Sequence, residues 1–322
     1  MEVTTKKRMQ VFSGRGYPEL AEEVVGHLGM RLGEVEIHDF ANGEIYVRLN
    51  ENVRGSDVFV IQSHCEPINA NIMEQLVMID ALKRASAKRI VAVVPSYGYA
   101  RQDKKSRSRE PITAKLVADM LVTAGASRVV SVDLHTGQIQ GFFDDPLDHL
   151  TALPLLVGWL AEHHGDEELV IASPDAGRVR LAEKFSAQLP GSQLAFLAKT
   201  RTAHNVAETL AVVGDVEGRT VVLVDDMIDT AGTICGAAQA LADHGAARVL
   251  ACATHPILSG PALERIEASP IERVVVTNTL PPPSGDGAGK VEMVSVAPVI
   301  AETLRAVFED QSVSELFADR NQ

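Results

Sequence analysis

Residues 219–233 read R-T-V-V-L-V-D-D-M-I-D-T-A-G-T, and their order decides the fold. An apolar, mostly β-branched run (Val221, Val222, Leu223, Val224) meets two carboxylates, Asp225 and Asp226, and then a turn of small and hydroxyl residues. A helix-forming stretch, Ile234 to Leu241, follows at once. An apolar run without polar alternation is what a parallel strand covered on both faces requires. The turn that opens the helix offers backbone N–H groups, the hydroxyls of Thr230 and Thr233, and the positive helix end to a phosphate. Two carboxylates at the strand end suit a ribose diol or a hydrated magnesium ion. Acidic residues also cap helices, but the attached D-T-A-G-T makes this stretch a candidate phosphate-and-diol site.

Outward from this stretch the chain alternates strands and helices. Buried strands are expected at Val58 to Gln62, Arg89 to Pro95, Val129 to Val132, Leu169 to Ala172, Leu194 to Ala198 and Val249 to Thr254. Helical stripes separate them, such as Tyr17 to Leu32 with Leu20, Val24, Leu28 and Leu32 on one face. Ala41 to Glu44 (A-N-G-E) has the Asn-Gly signal of a tight hairpin turn. The segment Lys199 to Glu208 reads as a polar, basic loop, and Pro298 to Phe308 as a closing helix. Leu121 to His135 aligns without gaps on Leu241 to His255, with Leu, Gly, Ala, Arg, Val and His coinciding. Shared helix–strand grammar explains such a match, and so do two similar domains. The expectation is an α/β chain of two domains, 1–148 and 149–322, with right-handed crossovers.

Composition narrows the class. The 322 residues are 46% hydrophobic but only 4% aromatic, so the cores are built from Val, Leu, Ile and Ala, as in parallel sheets. A net charge of −13 argues against a nucleic-acid or anionic-membrane binder. Cys65, Cys235 and Cys252 lack metal-ligand spacing and are odd in number, which points to free thiols in a reducing cytosol. No run approaches the length of a membrane helix, and no apolar segment follows the basic start of the chain, so a cytoplasmic protein is expected.

Five strand ends carry conspicuous polar groups: Tyr97 to Arg109, His135, Asp175, Lys199 with Arg201, and Asp225 to Thr233. Ligands of open α/β sheets bind outside the carboxyl ends of strands, so five such groups point to one large anionic ligand or to two that meet. Five of the nine residues from Arg101 to Arg109 are basic, in a chain that is acidic overall. A bare charge run is also an ordinary solvated loop, but Tyr97, Gly98 and Tyr99 beside it favour a nucleotide with its polyphosphate. Lys199 and Arg201, two apart in an extended segment, point to one face, where paired cations stabilise a transferring phosphoryl group. His135 and Asp175 suit magnesium or phosphate contacts. There is no G-x-x-x-x-G-K-[ST], no G-x-G-x-x-G after the first strand, no G-x-S-x-G and no H-E-x-x-H, which removes Walker-type kinases and several hydrolase classes.

Taken together, F-A-N-G-E-I-Y-V-R-L-N-E-N-V-R-G (Phe40 to Gly55), Y-A-R-Q-D-K-K-S-R-S-R-E-P-I (Tyr99 to Ile112) and V-D-L-H-T-G-Q-I-Q-G-F-F-D (Val132 to Asp144) resemble the ribose-phosphate diphosphokinase family nearly end to end. S-P-D-A-G, K-T-R and V-D-D-M-I-D-T-A-G-T add to the resemblance, though the last is shared with phosphoribosyltransferases. The resemblance implies two phosphoribosyltransferase-like domains, each a mainly parallel sheet flanked by helices. The first would be the ATP side and the second the ribose 5-phosphate side, with helix 298–308 packing on the first. It implies transfer of the β,γ-diphosphate of ATP to the anomeric hydroxyl of ribose 5-phosphate, with Mg2+.

Carried over by position, Phe40, Asn42, Gly43 and Glu44 would hold the adenine from a neighbouring subunit, and Arg101, Gln102 and Asp103 would complete the ATP site. His135 and Asp175 would serve magnesium and the phosphates. Lys199 and Arg201 would stabilise the transferring group. Asp225 and Asp226 would take the ribose hydroxyls, and Asp229, Thr230, Ala231, Gly232 and Thr233 the 5-phosphate. A homo-oligomer of dimers built into a hexamer, activated by phosphate and inhibited by ADP, is also implied. Asn42 stands where the family usually has Asp, and Ala176-Gly177-Arg178 departs from a Gly-rich continuation. If the loop needs positive φ at Ala231, alanine costs roughly 1 kcal/mol there. The competing readings are a phosphoribosyltransferase and a non-catalytic subunit associated with such a synthetase.

Overall fold

The side chains of β11 (Thr220–Ile228) alternate between two cores, as the pleat of a strand demands. Val221 and Leu223 pack with Ile234, Ala237 and Leu241, while Val222 and Val224 pack with Leu156, Leu160 and Phe185 on the opposite face. Each aliphatic side chain buried in this way contributes about 1.5–3 kcal/mol, which is why no polar residue interrupts 221–224. The computed structural model describes residues 7–200, 209–285 and 287–316.

The chain divides into two compact units: Met1–Thr151 with Thr279–Pro281 and Val296–Gln322, and Ala152–Asn278 with Pro282–Ser295. The first unit begins with β1 (Met9–Ser13), α1 (Pro18–Leu28), β2 (Val35–Asp39), β3 (Ile45–Leu49) and β4 (Asp57–Ile61). It continues with α2 (Ile68–Arg84), β5 (Arg89–Val94), α3 (Thr113–Ala124), β6 (Arg128–Val132) and β7 (Leu147–Leu150). Its sheet runs β1-β4-β5-β6-β7, parallel throughout. Val58, Val60, Ala92 and Val94 face a core shared with Met78 and Leu82 of α2 and Val117 and Leu121 of α3. β2 and β3 form a separate antiparallel hairpin, with β3 packed on α2.

The second unit holds α4 (Leu153–His164), β8 (Leu169–Ser173), α5 (Val179–Gln188), β9 (Gln193–Thr200), β10 (Thr209–Val213) and β11. It then adds α6 (Gly232–Asp243), β12 (Arg248–Pro256), α7 (Ala262–Ala268), β13 (Ile271–Thr277) and β14 (Val291–Val294). The strand order is β10-β9-β8-β11-β12-β13-β14, parallel except for β10 at one edge. From β8 the chain steps to β9 on one side and later to β11 on the other, so the switch point of this sheet lies between β8 and β11. The repeated segment lies at equivalent places in the two units: Ala126 donates to Leu121 O and Ala246 to Leu241 O, each closing a helix before a parallel strand.

Two sequence expectations need correction, and three short elements were not foreseen. The strand expected to end in Asp225 and Asp226 runs on to Ile228, because its pairing with β12 continues to Ile228–Pro256 while its pairing with β8 stops at Leu223–Ala172. The expected loop from Lys199 is strand as far as Thr200, held by antiparallel pairing of Thr200 with Thr209, and 201–208, with Arg201, lie outside the described residues. β7, β10 and α7 carried no clear periodicity, since Leu147–Leu150 is four residues long and α7 only seven.

The closing helices, α8 (Ala297–Phe308) and α9 (Val313–Leu316), belong to the first unit, where α8 packs on α1. An ion cluster fastens its end. Arg89 donates to Asp57 Oδ2 (2.7 Å), Asp310 Oδ1 (3.1 Å) and the carbonyl of Val307 (2.9 Å), and Lys7 bonds Asp310 (2.6 Å) and the carbonyl of Phe308. The Asp57 side chain is 2% exposed, and Lys7 stands 3.7 Å from it. Arg89→Ala strips this buried carboxylate of its close cation and should cost about 3 kcal/mol, read as a lower urea midpoint.

Ala231, the residue before α6, has φ 58 and ψ 5, the left-handed conformation. That conformation costs an L-residue about 1–2 kcal/mol, and the buried methyl returns about 0.8 kcal/mol. Ala231→Gly is therefore expected to raise stability by up to about 1 kcal/mol, seen as a higher Tm.

Candidate active site

Because β8, β9 and β11 are parallel neighbours, their carboxyl ends lie along one edge of the second sheet. They bring Asp175, the backbone of Lys199, and the Asp225–Asp226 pair to that edge. The Asp175 side chain accepts the N–H of Gly177 (2.8 Å), which turns the chain into α5. Arg178, one residue before α5, returns over the β8–β11 crevice. Its Nε lies 2.9 Å from Asp225 Oδ1 and its Nη2 2.7 Å from Asp226 Oδ1. Asp225 Oδ1 also accepts the N–H of Asp226 (2.8 Å). Burial pushes the Asp225 carboxyl well above the usual carboxylate range, and the adjacent Asp226 adds to the shift while Arg178 opposes it.

Beyond β11 the loop Asp229 to Thr233 opens α6. The hydroxyl of Ser259 bonds the Asp229 side chain and its N–H the Asp229 carbonyl (3.0 Å), and Arg265 Nη1 donates to the Thr230 carbonyl (2.9 Å). Thr230, Gly232 and Thr233 are exposed and Ala231 is buried. The N–H of Cys235 makes the first intrahelical bond, to Ala231 O, so the N–H groups of Gly232, Thr233 and Ile234 have no partner within the helix. An exposed helix start of this kind suits a phosphate.

In the first unit the corresponding edge carries the loops after β5 and β6. His64 binds the first of these to the sheet. Its Nδ1 accepts the N–H of Gly98 (3.0 Å), which leaves the proton on Nε2 facing Gln75 Oε1 (2.9 Å). Burial holds its pKa down at about 4, so the ring is neutral. Tyr97 is buried with its hydroxyl donating to Ala114 O (3.0 Å). Arg101 and Gln102 are exposed, and Thr113 donates to Gln102 Oε1 (2.5 Å). Asp103 is buried instead, at 4% exposure, and its Oδ2 accepts Thr136 Oγ1 (2.5 Å) and Gln138 Nε2 (2.7 Å). Its carboxylate therefore joins the basic loop to the loop that carries the half-buried His135.

Phe40, Asn42, Gly43 and Glu44 stand on the β2–β3 hairpin. Its turn is longer than a two-residue Asn-Gly turn: Phe40 and Glu44 are joined by a backbone bond (2.8 Å), and Gly43 has φ 87. Asn42 Oδ1 accepts the N–H of Glu44 (3.1 Å). Phe40, 49% exposed, stands edge-on to His38 and Tyr46. A cavity of about 910 Å³ lies between this hairpin and α2, walled by Arg15, Phe40, Glu44, Asn69, Met73 and Glu74. Arg15 crosses its floor, paired with Glu74 (2.6 Å) and Asp39 (2.7 Å).

Among the described residues no three His, Cys, Asp or Glu side chains group closely enough to hold a metal unaided. Magnesium needs fewer, since it keeps several waters and takes phosphate oxygens with one or two protein donors. His135 and Asp175 each offer one such donor. Sequence reasoning missed Arg178, Arg265, His64 and the partners of Asp103. Arg178 alone left a trace, as a basic residue three positions after Asp175.

Residues 9–125 match the family model for the N-terminal domain of ribose phosphate pyrophosphokinase, and 164–318 the phosphoribosyl synthetase-associated domain. A ribose-phosphate pyrophosphokinase of Streptomyces coelicolor is 55% identical over 322 residues, covering 99% of both chains. One from Mycobacterium leprae is 54% identical over 314 residues, 97% of this chain and 96% of its own. The crystal structure of phosphoribosylpyrophosphate synthetase from Mycobacterium smegmatis superposes with a TM-score of 0.90 at 54% identity, covering 94% of this chain and 100% of that one. Strand order, edge chemistry and full-length likeness converge: the chain belongs to the ribose-phosphate pyrophosphokinase family.

Proposed function

We propose that this chain transfers the β,γ-diphosphate of ATP to the anomeric hydroxyl of ribose 5-phosphate, forming 5-phosphoribosyl 1-pyrophosphate and AMP for nucleotide biosynthesis. The observation that carries the reading is the 55% identity to a ribose-phosphate pyrophosphokinase across 99% of both chains. The anomeric oxygen attacks the β-phosphorus in line and gives up its proton to solvent, and the bond from that phosphorus to the α,β-bridging oxygen breaks, leaving that oxygen on AMP. Such a reaction asks the protein mainly for positioning and charge stabilisation.

In the second unit, Asp225 and Asp226 accept the ribose hydroxyls, and the loop Asp229, Thr230, Ala231, Gly232 and Thr233 takes the 5-phosphate on N–H groups and hydroxyls. Lys199 and Arg201 stabilise the diphosphate as charge moves across it. In the first unit, Arg101 and Gln102 contact ATP directly, whereas Asp103 acts through the loops it ties together, as its burial favours. Phe40, Asn42, Gly43 and Glu44 receive the adenine of a neighbouring subunit, which makes the assembly a homo-oligomer, dimers built into a hexamer. His135 and Asp175 would hold Mg2+ with the phosphates, where it neutralises their charge. The K-S-R-S-R-E segment, exposed from Lys105 to Arg109, supports activation by phosphate and inhibition by ADP. Among the described residues no helix is long and apolar enough to cross a membrane, and a cytoplasmic location suits the substrates.

Incubation with ATP, magnesium, phosphate and ribose 5-phosphate is expected to release AMP, followed by chromatography. No AMP would overturn the reading, and consumption of phosphoribosyl pyrophosphate with a purine or pyrimidine base would favour a transferase. Lys199→Ala is expected to lower kcat about 100-fold or more with an unchanged circular dichroism spectrum. Near-normal turnover would remove Lys199 from the transfer step.

A further inference from the structure

The Asp225–Asp226 pair poses an electrostatic problem. The two side chains are 16% and 9% exposed and adjacent in sequence, and like charges so placed resist joint ionisation. One guanidinium answers it: Arg178 reaches both, Nε to Asp225 at 2.9 Å and Nη2 to Asp226 at 2.7 Å. Arginine suits this work because its planar guanidinium stays charged and reaches both carboxylates, the contact with Asp226 being an ion pair without hydrogen-bond alignment. The contacts fall on Oδ1 of each carboxylate, and Asp225 Oδ1 also accepts the Asp226 N–H, so the plane of that carboxylate is set from two directions. Arg178 itself is anchored: it lies between Asp175, whose carbonyl accepts its N–H (3.3 Å), and the first turn of α5.

We propose that Arg178 is a positioning residue for the sugar diol: it bridges Asp225 and Asp226 so that both carboxylates meet the 2- and 3-hydroxyls of the sugar phosphate as oriented acceptors. The proposal deepens the functional reading above, since it takes the acceptor to be a ribose phosphate. Hydroxyl donors need acceptor oxygens, and an ionised carboxylate offers more of them than a carboxyl that keeps its proton. With Arg178 in place the pair is built to discriminate between a sugar that carries both hydroxyls and one that lacks the 2-hydroxyl. The bridge also joins the loop after β8 to the end of β11 across the switch point of the sheet.

The test is calorimetric binding of ribose 5-phosphate and of 2-deoxyribose 5-phosphate to the full chain and to Arg178→Ala, Arg178→Gln and Arg178→Lys, beside the AMP assay. The unaltered protein is expected to prefer ribose 5-phosphate. Arg178→Ala and Arg178→Gln should weaken ribose 5-phosphate binding about 10- to 100-fold, the range for a lost charge-assisted contact, and bring the two sugars to nearly equal affinity. Lysine, a cation without the fork, should restore part of the preference. A merely structural role would lower Tm and weaken both sugars alike, leaving their ratio unchanged. Retained preference in Arg178→Gln or Arg178→Ala overturns the proposal, as does a protein with no preference at the start. If Arg178→Ala does not fold, the ratio in Arg178→Lys decides: equal to that of the unaltered protein, it overturns the proposal. Preference without AMP formation would instead sink the synthetase reading and leave the role of Arg178 standing.

Discussion

A parallel sheet covered by helices on both faces leaves its polar chemistry one useful outlet, the edge where its strands end. Most of the candidate site residues follow that constraint, while Phe40, Asn42, Gly43 and Glu44 stand apart on the β2–β3 hairpin. The strand interiors are largely Val, Leu, Ile and Ala, and charged groups gather where β5, β6, β8 and β11 give way to loops. Each unit solves the same problem with different residues. The second draws two carboxylates together under one guanidinium, and the first ties two loops together with one buried carboxylate.

The extent of β11 shows how sheet register makes a site. Its neighbour β8 stops pairing at Ala172, but β12 continues alongside to Pro256. The last residues of β11 are therefore held straight on one side and left open on the other, beside the loop that begins at Pro174. Rigid backbone on one side fixes where the carboxylates stand, and the opening on the other admits a cation or a ligand. Ala231 tells a related story: the turn keeps its left-handed geometry although the residue there has a side chain, because Leu258 and Ser259 bond the backbone of Ile228 and Asp229, and Arg265 bonds that of Thr230.

Much of this was legible in the sequence. Unbroken apolar runs such as Val221 to Val224 marked strands buried on two faces, and the small residues after them marked the turn that opens α6. What stayed hidden depended on partners remote in sequence. Nothing in S-P-D-A-G-R says that Arg178 reaches residues 225 and 226, and nothing near Asp103 says that Thr136 and Gln138 claim its carboxylate. The end of β11 was misjudged because carboxylates are poor strand formers, and pairing with β12 overrides that preference. The short elements β7 and α7 escaped because periodicity needs more residues than they contain.

The order in which the chain visits its two units has a temporal meaning. The second unit is complete once Ser295 has been made, while the first still lacks α8, the helix that covers α1, and Asp310, which Arg89 and Lys7 bind. During synthesis from the amino terminus, the part begun first is therefore the part finished last. Until then α1 lacks the cover that α8 brings, so the emerging chain carries a helix without its neighbour through the whole time in which its second sheet is assembled.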